Sequence, residues 1–315
     1  MQNLIFSLNA TIPVFLTMAA GYLFRRTGIL NGSFTDTLDK FNFRITLPIL
    51  LFTDLGREDF YQIWDLRFVL FCFFVTLISI AAIAFVSVFV LKKVSERGEF
   101  IQASFRGSAA VLGIAFVQNI YGNAGMVPLM MLGAVPLYNI MSVVILSATA
   151  PGSGGPDGKS VKNSVLKILK NPLIIGIFAG FCFSLLRIEL PPVIDKTLDN
   201  FSSMATPLAL IGLGAGFEIK KALTHLKPEI CGSLIKLFLL PLIFLPLAVK
   251  MGFYDDKLVA VLIMLGSPTT VSTYIMAKNM GHEGTLTSGI VVLTTLFSSV
   301  SITLWLFILK TAELI

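Results

Sequence analysis

The sequence predicts an all-α polytopic membrane protein with ten transmembrane helices arranged as two inverted five-helix repeats. Three observations carry that expectation. Of 315 residues, 55% are hydrophobic and only 13% are charged, where a soluble domain carries about 25% charged residues. Apolar runs near the ~20 residues needed to cross a bilayer recur at hairpin spacing along the chain. One polar, Gly- and Pro-rich linker, PGSGGPDGKSVKN, divides them into two sets of five. The expected organisation is a first repeat over 1–150, a linker over 151–163 and a second repeat over 164–315.

The spans, in order, are 4–24, 36–55, 67–91, 102–120, 126–149, 165–187, 194–216, 229–250, 258–278 and 285–309. The first starts at Leu4 without a basic n-region or a small-residue cleavage site after it, so it reads as a span rather than a signal peptide. Basic residues orient the set. Loops after odd-numbered spans, with their flanks, hold 15 Lys and Arg, Arg106 among them, and the opposite face holds 7. That asymmetry puts the linker in the cytoplasm and both termini outside, in a multi-pass protein of the cytoplasmic membrane.

The repeat shows when the chain is slid by 159 positions without gaps. Pro13 then meets Pro172, Gly21 meets Gly180, Pro48 meets Pro207, Gly107 meets Gly266 and Ser108 meets Ser267. Two further glycine pairs, Gly122 with Gly281 and Gly125 with Gly284, follow spans four and nine. Five spans is an odd number, so the second copy crosses in the opposite sense to the first. Inverted repeats of this kind recur in secondary transporters, with the substrate near the midplane between them.

Span nine, LVAVLIMLGSPTTVSTYIMA, breaks its own helix. Pro268 lacks an N–H and its ring clashes with the carbonyl four residues back. Gly266 loosens the backbone beside it. Freed backbone groups at membrane depth are tolerated only inside protein or along a polar cavity. Ser267, Thr269, Thr270, Ser272, Thr273 and Tyr274 crowd hydroxyls around the break. A half-helix N-terminus there attracts anions. The alternative is a proline kink whose hydroxyls bond back to the helix. In span four, Ser108 matches Ser267 but Ala109 stands where Pro268 stands, and Gly113 is the other weak point. This helix is therefore expected to be less broken than its mate. Ser108, Ala109, Gly113, Ser267, Pro268, Thr269, Thr270, Thr273, Tyr274 and Asn139 are the candidate substrate-binding set.

FNFRITLPILLFTDL, RGS in span four, KNPLIIGIFAGF, ATPLALIGLGAGF, IKLFLLPLI and GSPTTVSTYIMA, in that order and spacing, resemble the auxin efflux carrier family. The family includes plant auxin exporters and bacterial organic-acid carriers such as malonate transporters, and the likeness covers nearly the whole chain. It implies a fold like that of bile-acid symporters and sodium/proton antiporters. Helices 1, 2, 6 and 7 would form a scaffold that dimerises. Helices 3–5 and 8–10 would form a transport domain whose broken helices 4 and 9 cross at the site, with elevator-like movement of small organic anions. Ala109 and Ala115 depart from the Asn and Pro common in the family's span four.

Polar residues inside spans have two readings each. Arg44 could neutralise a substrate carboxylate, but it lies four residues from Lys40, which favours snorkelling to the interface. Lys236 in span eight could hold the site electrostatically or snorkel. Asn139 in span five bonds across helices, more often for structure. No acid lies deep within spans 3–5 or 8–10 on this reading, so coupling through a buried carboxylate is not expected. The coupling ion stays open between proton and sodium, as does uniport. His225 and His282 fall in loops and read as solvated. Gly212 and Gly216 in span seven would allow close packing in a homodimer.

Cys72, Cys182 and Cys231 form no pairing motif, so neither a disulfide nor a metal is expected, nor any cofactor. The net charge of +6 fits a basic membrane face rather than nucleic-acid binding. No GxSxG, HExxH or phosphate loop points to an enzyme. The sequence therefore reads as a transporter of small carboxylates. An ion or proton exchanger on the same fold, or a membrane sensor that binds without transporting, are the alternatives.

Overall fold

The computed structural model describes residues 2–57, 65–109, 116–117, 120–122, 125–151, 170–217 and 225–315, and side chains from residue 12 onward except 14 and 15. Among them the chain is helical and no strand forms. The order is α1 (Gln2–Arg26), α2 (Gly32–Phe41), α3 (Leu47–Gly56), α4 (Leu66–Val90) and α5 (Val94–Phe105). It continues with α6 (Val127–Thr149), α7 (Pro172–Leu185), α8 (Pro192–Gly216), α9 (Leu226–Leu234) and α10 (Leu240–Lys250). Last come α11 (Asp255–Gly266), α12 (Ser272–Asn279) and α13 (Thr285–Thr311). By length and composition α4, α6, the continuous stretch Leu226–Lys250 and α13 can each cross a bilayer.

Two π-helical turns, Asn42–Thr46 and Ile235–Leu239, join α2 to α3 and α9 to α10. Each stands just before a proline, Pro48 and Pro241. A proline has no N–H to offer the carbonyl four residues back. In the second case that carbonyl is Leu237 O, and Trp305 Nε1 of α13 donates to it at 3.0 Å. Helix starts are capped by side chains: Asn31 Oδ1 accepts from the Phe34 amide at 2.8 Å, and Asn171 Oδ1 from Leu173 at 2.9 Å.

The buried apolar residues form two cores. One joins α4, α5, α6, α10, α11 and α13, and the other joins α1, α3, α7, α8 and α12 with Val143 and Leu146 of α6 and Val291 of α13. In the second core, glycines let backbones touch. A Cβ at Gly21 of α1 would lie 2.4 Å from Ile211 O of α8, and one at Gly176 of α7 would lie 2.4 Å from Pro48 O of α3. Gly212 and Gly216 are occupied within the chain, against Asp39 Oδ1 and Tyr274 Oη, rather than offered to a second copy. In α11 every residue from Leu258 to Gly266 is buried, as an all-round apolar helix requires. The outer faces stay greasy, with Phe85, Phe89, Phe178 and Phe307 between 67% and 75% exposed, as lipid contact demands.

Candidate functional site

The break in span nine sits where Gly266 and Pro268 place it. Helix α11 ends at Gly266, Ser267 is extended, and α12 resumes at Ser272. Span four differs from expectation in two ways. Helix α5 starts at Val94, eight residues before the expected boundary, because the polar-looking SERGE stretch carries a buried Gly98 and Glu99. It is also fully broken, since α5 stops at Phe105 and Arg106 turns extended. The cause is tertiary. Gly107 and Thr269 form an isolated antiparallel bridge, and the Ser108 amide donates to Pro268 O at 2.9 Å. Each broken helix thus supplies backbone partners that the other lost. Only glycine fits at 107, where a Cβ would lie 2.3 Å from Ser267 Oγ and 2.8 Å from Lys236 Nζ.

The hydroxyls of span nine act mostly as internal partners. Thr269 Oγ1 donates to Ala103 O of α5 at 2.7 Å, and its amide donates to Thr294 Oγ1 of α13 at 3.0 Å. Thr273 Oγ1 donates to Thr270 O at 2.5 Å. Lys236 is wholly buried on the second π turn. Its ammonium donates to Phe105 O at 2.9 Å and Met264 O at 3.2 Å, close to the C-terminal ends of α5 and α11. Tyr138 Oη also donates to Met264 O, at 2.8 Å. A cation at two helix C-termini meets their partial negative charges, so Lys236 holds the crossing together instead of snorkelling.

Beside the crossing lies a cavity of about 490 Å³. One side is polar, with Arg106, Ser108, Asn139, Thr270 and Ser272. The other is formed by α3 and α8, mostly apolar through Leu47, Leu50, Leu51, Ala205 and Pro207, with Asp54 also in the lining. Of the expected site residues, Ser108, Ala109, Asn139, Pro268, Thr269 and Thr270 line this cavity. Ser267, Thr273 and Tyr274 are buried outside its lining, and Gly266 packs on Pro241. Arg44 is exposed beside Pro48 and Pro172, away from the crossing. Gly113, like Ala115, lies outside the described residues.

The residue that the sequence reading missed is Arg106. Assigned there to a cytoplasmic flank, it caps α5 and is 5% exposed, on the cavity wall. Its Nη2 donates to Asn139 Oδ1 at 2.5 Å and its Nη1 to Met276 Sδ. Among the described residues no carboxylate pairs with it. The available signal was the alignment of RGS at 106–108 with the LGS at 265–267 that opens the other break. A second hollow of about 500 Å³ lies between α3, α7 and α8. There Arg57 already pairs with Asp195 at 2.7 Å and Asp199 at 2.6 Å.

Residues 6–306 match the profile of a family described as "Membrane transport protein". A Rhizobium meliloti protein named "Putative malonate transporter" is 25% identical, with 96% of each chain covered. An "Uncharacterized transporter" of Methanothermobacter thermautotrophicus is 22% identical over 96% of this chain and 98% of its own. Another from Methanocaldococcus jannaschii is 23% identical over the same shares. With a family match over nearly the whole length and a membrane-spanning helical fold, the chain belongs to the auxin efflux carrier family of membrane transport proteins.

Proposed function

We propose that this protein is a secondary active transporter of small organic anions, carboxylates above all, working by elevator-like alternating access across the cytoplasmic membrane. The observation that carries this is Arg106, a buried guanidinium on a cavity wall whose partners are neutral acceptors. A buried charge is stable when paired. A substrate carboxylate entering the cavity supplies that pair, in the planar geometry that arginine favours. Asn139, Ser108, Thr270 and Ser272 offer neutral polar groups for the rest of the molecule, and the α12 N-terminus adds favourable dipole. In this reading spans 1, 2, 6 and 7 form the scaffold and spans 3–5 and 8–10 the transport domain; the first core lies within the latter, while the second packs spans 1, 2, 6 and 7 against parts of spans 5, 9 and 10. The expected partners are the anion, lipid, a coupling ion and a second copy of the chain.

Malonate is the first probe, on the strength of the named relative. The test is its thermal stabilisation of purified wild-type, R106K and R106Q protein, followed by uptake of labelled malonate into proteoliposomes. A ligand that binds the folded state raises the melting temperature by mass action. Loss of a charge-assisted pair is worth about 1.5–3 kcal/mol, so R106Q should weaken binding by about 10- to 150-fold. R106K should fall between the two. R106Q protein that binds and carries malonate like wild type refutes the assignment of Arg106, and binding without flux in wild type favours a sensor.

A further inference from the structure

The mechanism proposed above leaves three buried acids unused among the described residues, Asp39, Glu99 and Glu229, of which Glu99 and Glu229 lie in the expected transport domain. Glu229 opens the expected eighth span and sits on α9, 2% exposed, with no hydrogen-bond partner for Oε1. Its carboxyl group fills a notch in α13 that exists because residue 289 is glycine. A Cβ there would lie 2.1 Å from Glu229 Cδ and 2.3 Å from Oε1. One turn along α9, Gly232 makes similar room for Ser104 Oγ of α5, a second buried oxygen without a partner.

The surrounding charges are all directed elsewhere. On α5, Glu96 pairs with Lys93 at 2.9 Å and Arg97 donates to Leu91 O at 2.9 Å. Glu99 accepts from the Gly284 and Thr287 amides at the start of α13, both at 3.0 Å. Helix α13 carries no titratable group before Lys310, at its far end. On the segment of Glu229 itself, Lys227 is exposed and Lys236 is bonded to its two carbonyls. No cation therefore faces Glu229 among the described residues. An ionised carboxylate with a buried, unpartnered oxygen costs up to several kcal/mol even in the first turn of a span, and the neutral acid avoids that cost.

We propose that Glu229 is the proton-binding site that couples the carrier to a pH gradient. The inference rests on the transporter reading. On one side of the membrane the carboxylate takes a proton from water. The neutral acid then crosses with the transport domain and releases the proton to water on the other side. One proton moves per cycle, and no other bond is made or broken. Glu229 lies seven residues before Lys236, about 10 Å along the helix at 1.5 Å per residue. Glu229 is absent from the lining of the cavity that holds Arg106, so the proton and the anion have separate places.

The test compares wild type with E229Q, whose amide mimics the protonated acid in shape and charge. Infrared spectra of both at neutral pH should differ by the carbonyl band of one protonated carboxyl group, present in wild type and lost in E229Q. In proteoliposomes, E229Q should keep malonate/malonate exchange but lose all stimulation by an imposed pH gradient. Either a spectrum without an E229Q-sensitive band or full gradient stimulation in E229Q overturns the proposal. Wild type that fails to exchange malonate overturns the malonate reading instead, and the infrared band then decides alone on the proton site. Should E229Q fail to fold, E229D, which draws the carboxyl back from Gly289, must keep a gradient response with a shifted pH dependence, and an unshifted profile counts against the proposal.

Discussion

A methyl group at Gly107 tests whether packing clamps the two broken helices. The added carbon would stand 2.3 Å from Ser267 Oγ and 2.8 Å from Lys236 Nζ, both closer than real Cβ contacts allow. Ser267 is fully buried and has little room to turn its hydroxyl away. Lys236 can retreat only by giving up a bond to Phe105 O or Met264 O, worth about 1.5–3 kcal/mol for a charged donor. With ordinary overpacking at about 1–3 kcal/mol, G107A should destabilise by about 2.5–6 kcal/mol. S267A alone should change stability by less than about 0.5 kcal/mol, because the lost hydroxyl has no partner. In the double variant the nearer clash is gone, so at least ~1 kcal/mol should return as coupling between the sites. The assay is denaturant unfolding in mixed micelles, run as a double-mutant cycle. A G107A protein as stable as wild type, or a cycle with no coupling, refutes the packing argument.

Two further outcomes follow from polar contacts near the helix ends. His282 lies within 3.0 Å of Ser95 O and 2.9 Å of Leu146 O and is 5% exposed. H282A should cost about 1–3 kcal/mol by stranding a buried carbonyl, read as a lower unfolding midpoint, whereas a solvated loop histidine would cost nothing. Asp65 bonds Lys257 at 2.6 Å and also caps α4 through the Phe68 amide. The lysine hydrogen bond holds its carboxyl below the usual range. A depressed folded-state value means the stabilisation is present above the unfolded value of about 3.9 and is lost as pH falls through the folded one. D65N keeps a capping oxygen, so it should cost about 0.5–1 kcal/mol at neutral pH and nothing in strong acid. A penalty that persists in acid would show that the pair is not its source.

What the sequence revealed of this fold depended on whether the cause was local. Pro268 breaks its own helix through its own ring, so the gap between α11 and α12 could be placed from the residues alone. The break at Arg106 has no proline, and comes from a bridge to residues about 160 positions away. Only the faint likeness of Gly107 and Ser108 to Gly266 and Ser267 hinted at it. Arg106 was assigned to a loop flank for the same reason, since apolar run length cannot see a helix that ends early against a partner. His282 was misjudged, and Glu99 and Glu229 were not singled out, because burial is decided by what packs over a residue. The hydroxyls of span nine were recognised, but not that Thr269 and Thr273 would turn to carbonyls and leave Thr270 and Ser272 on the cavity.

The place of Lys236 has a consequence for how the crossing withstands its surroundings. Two helices that end close together present converging carbonyl oxygens, a cage suited to a positive ion. A dissolved ion would fill such a cage only as often as its concentration allows. Here the positive ion is built into the chain, delivered by a π turn in the neighbouring helix, and its local concentration is fixed by covalent attachment. The junction is therefore indifferent to the salt on either side of the membrane. It stays assembled through changes of salt concentration that would empty a site held by a free cation.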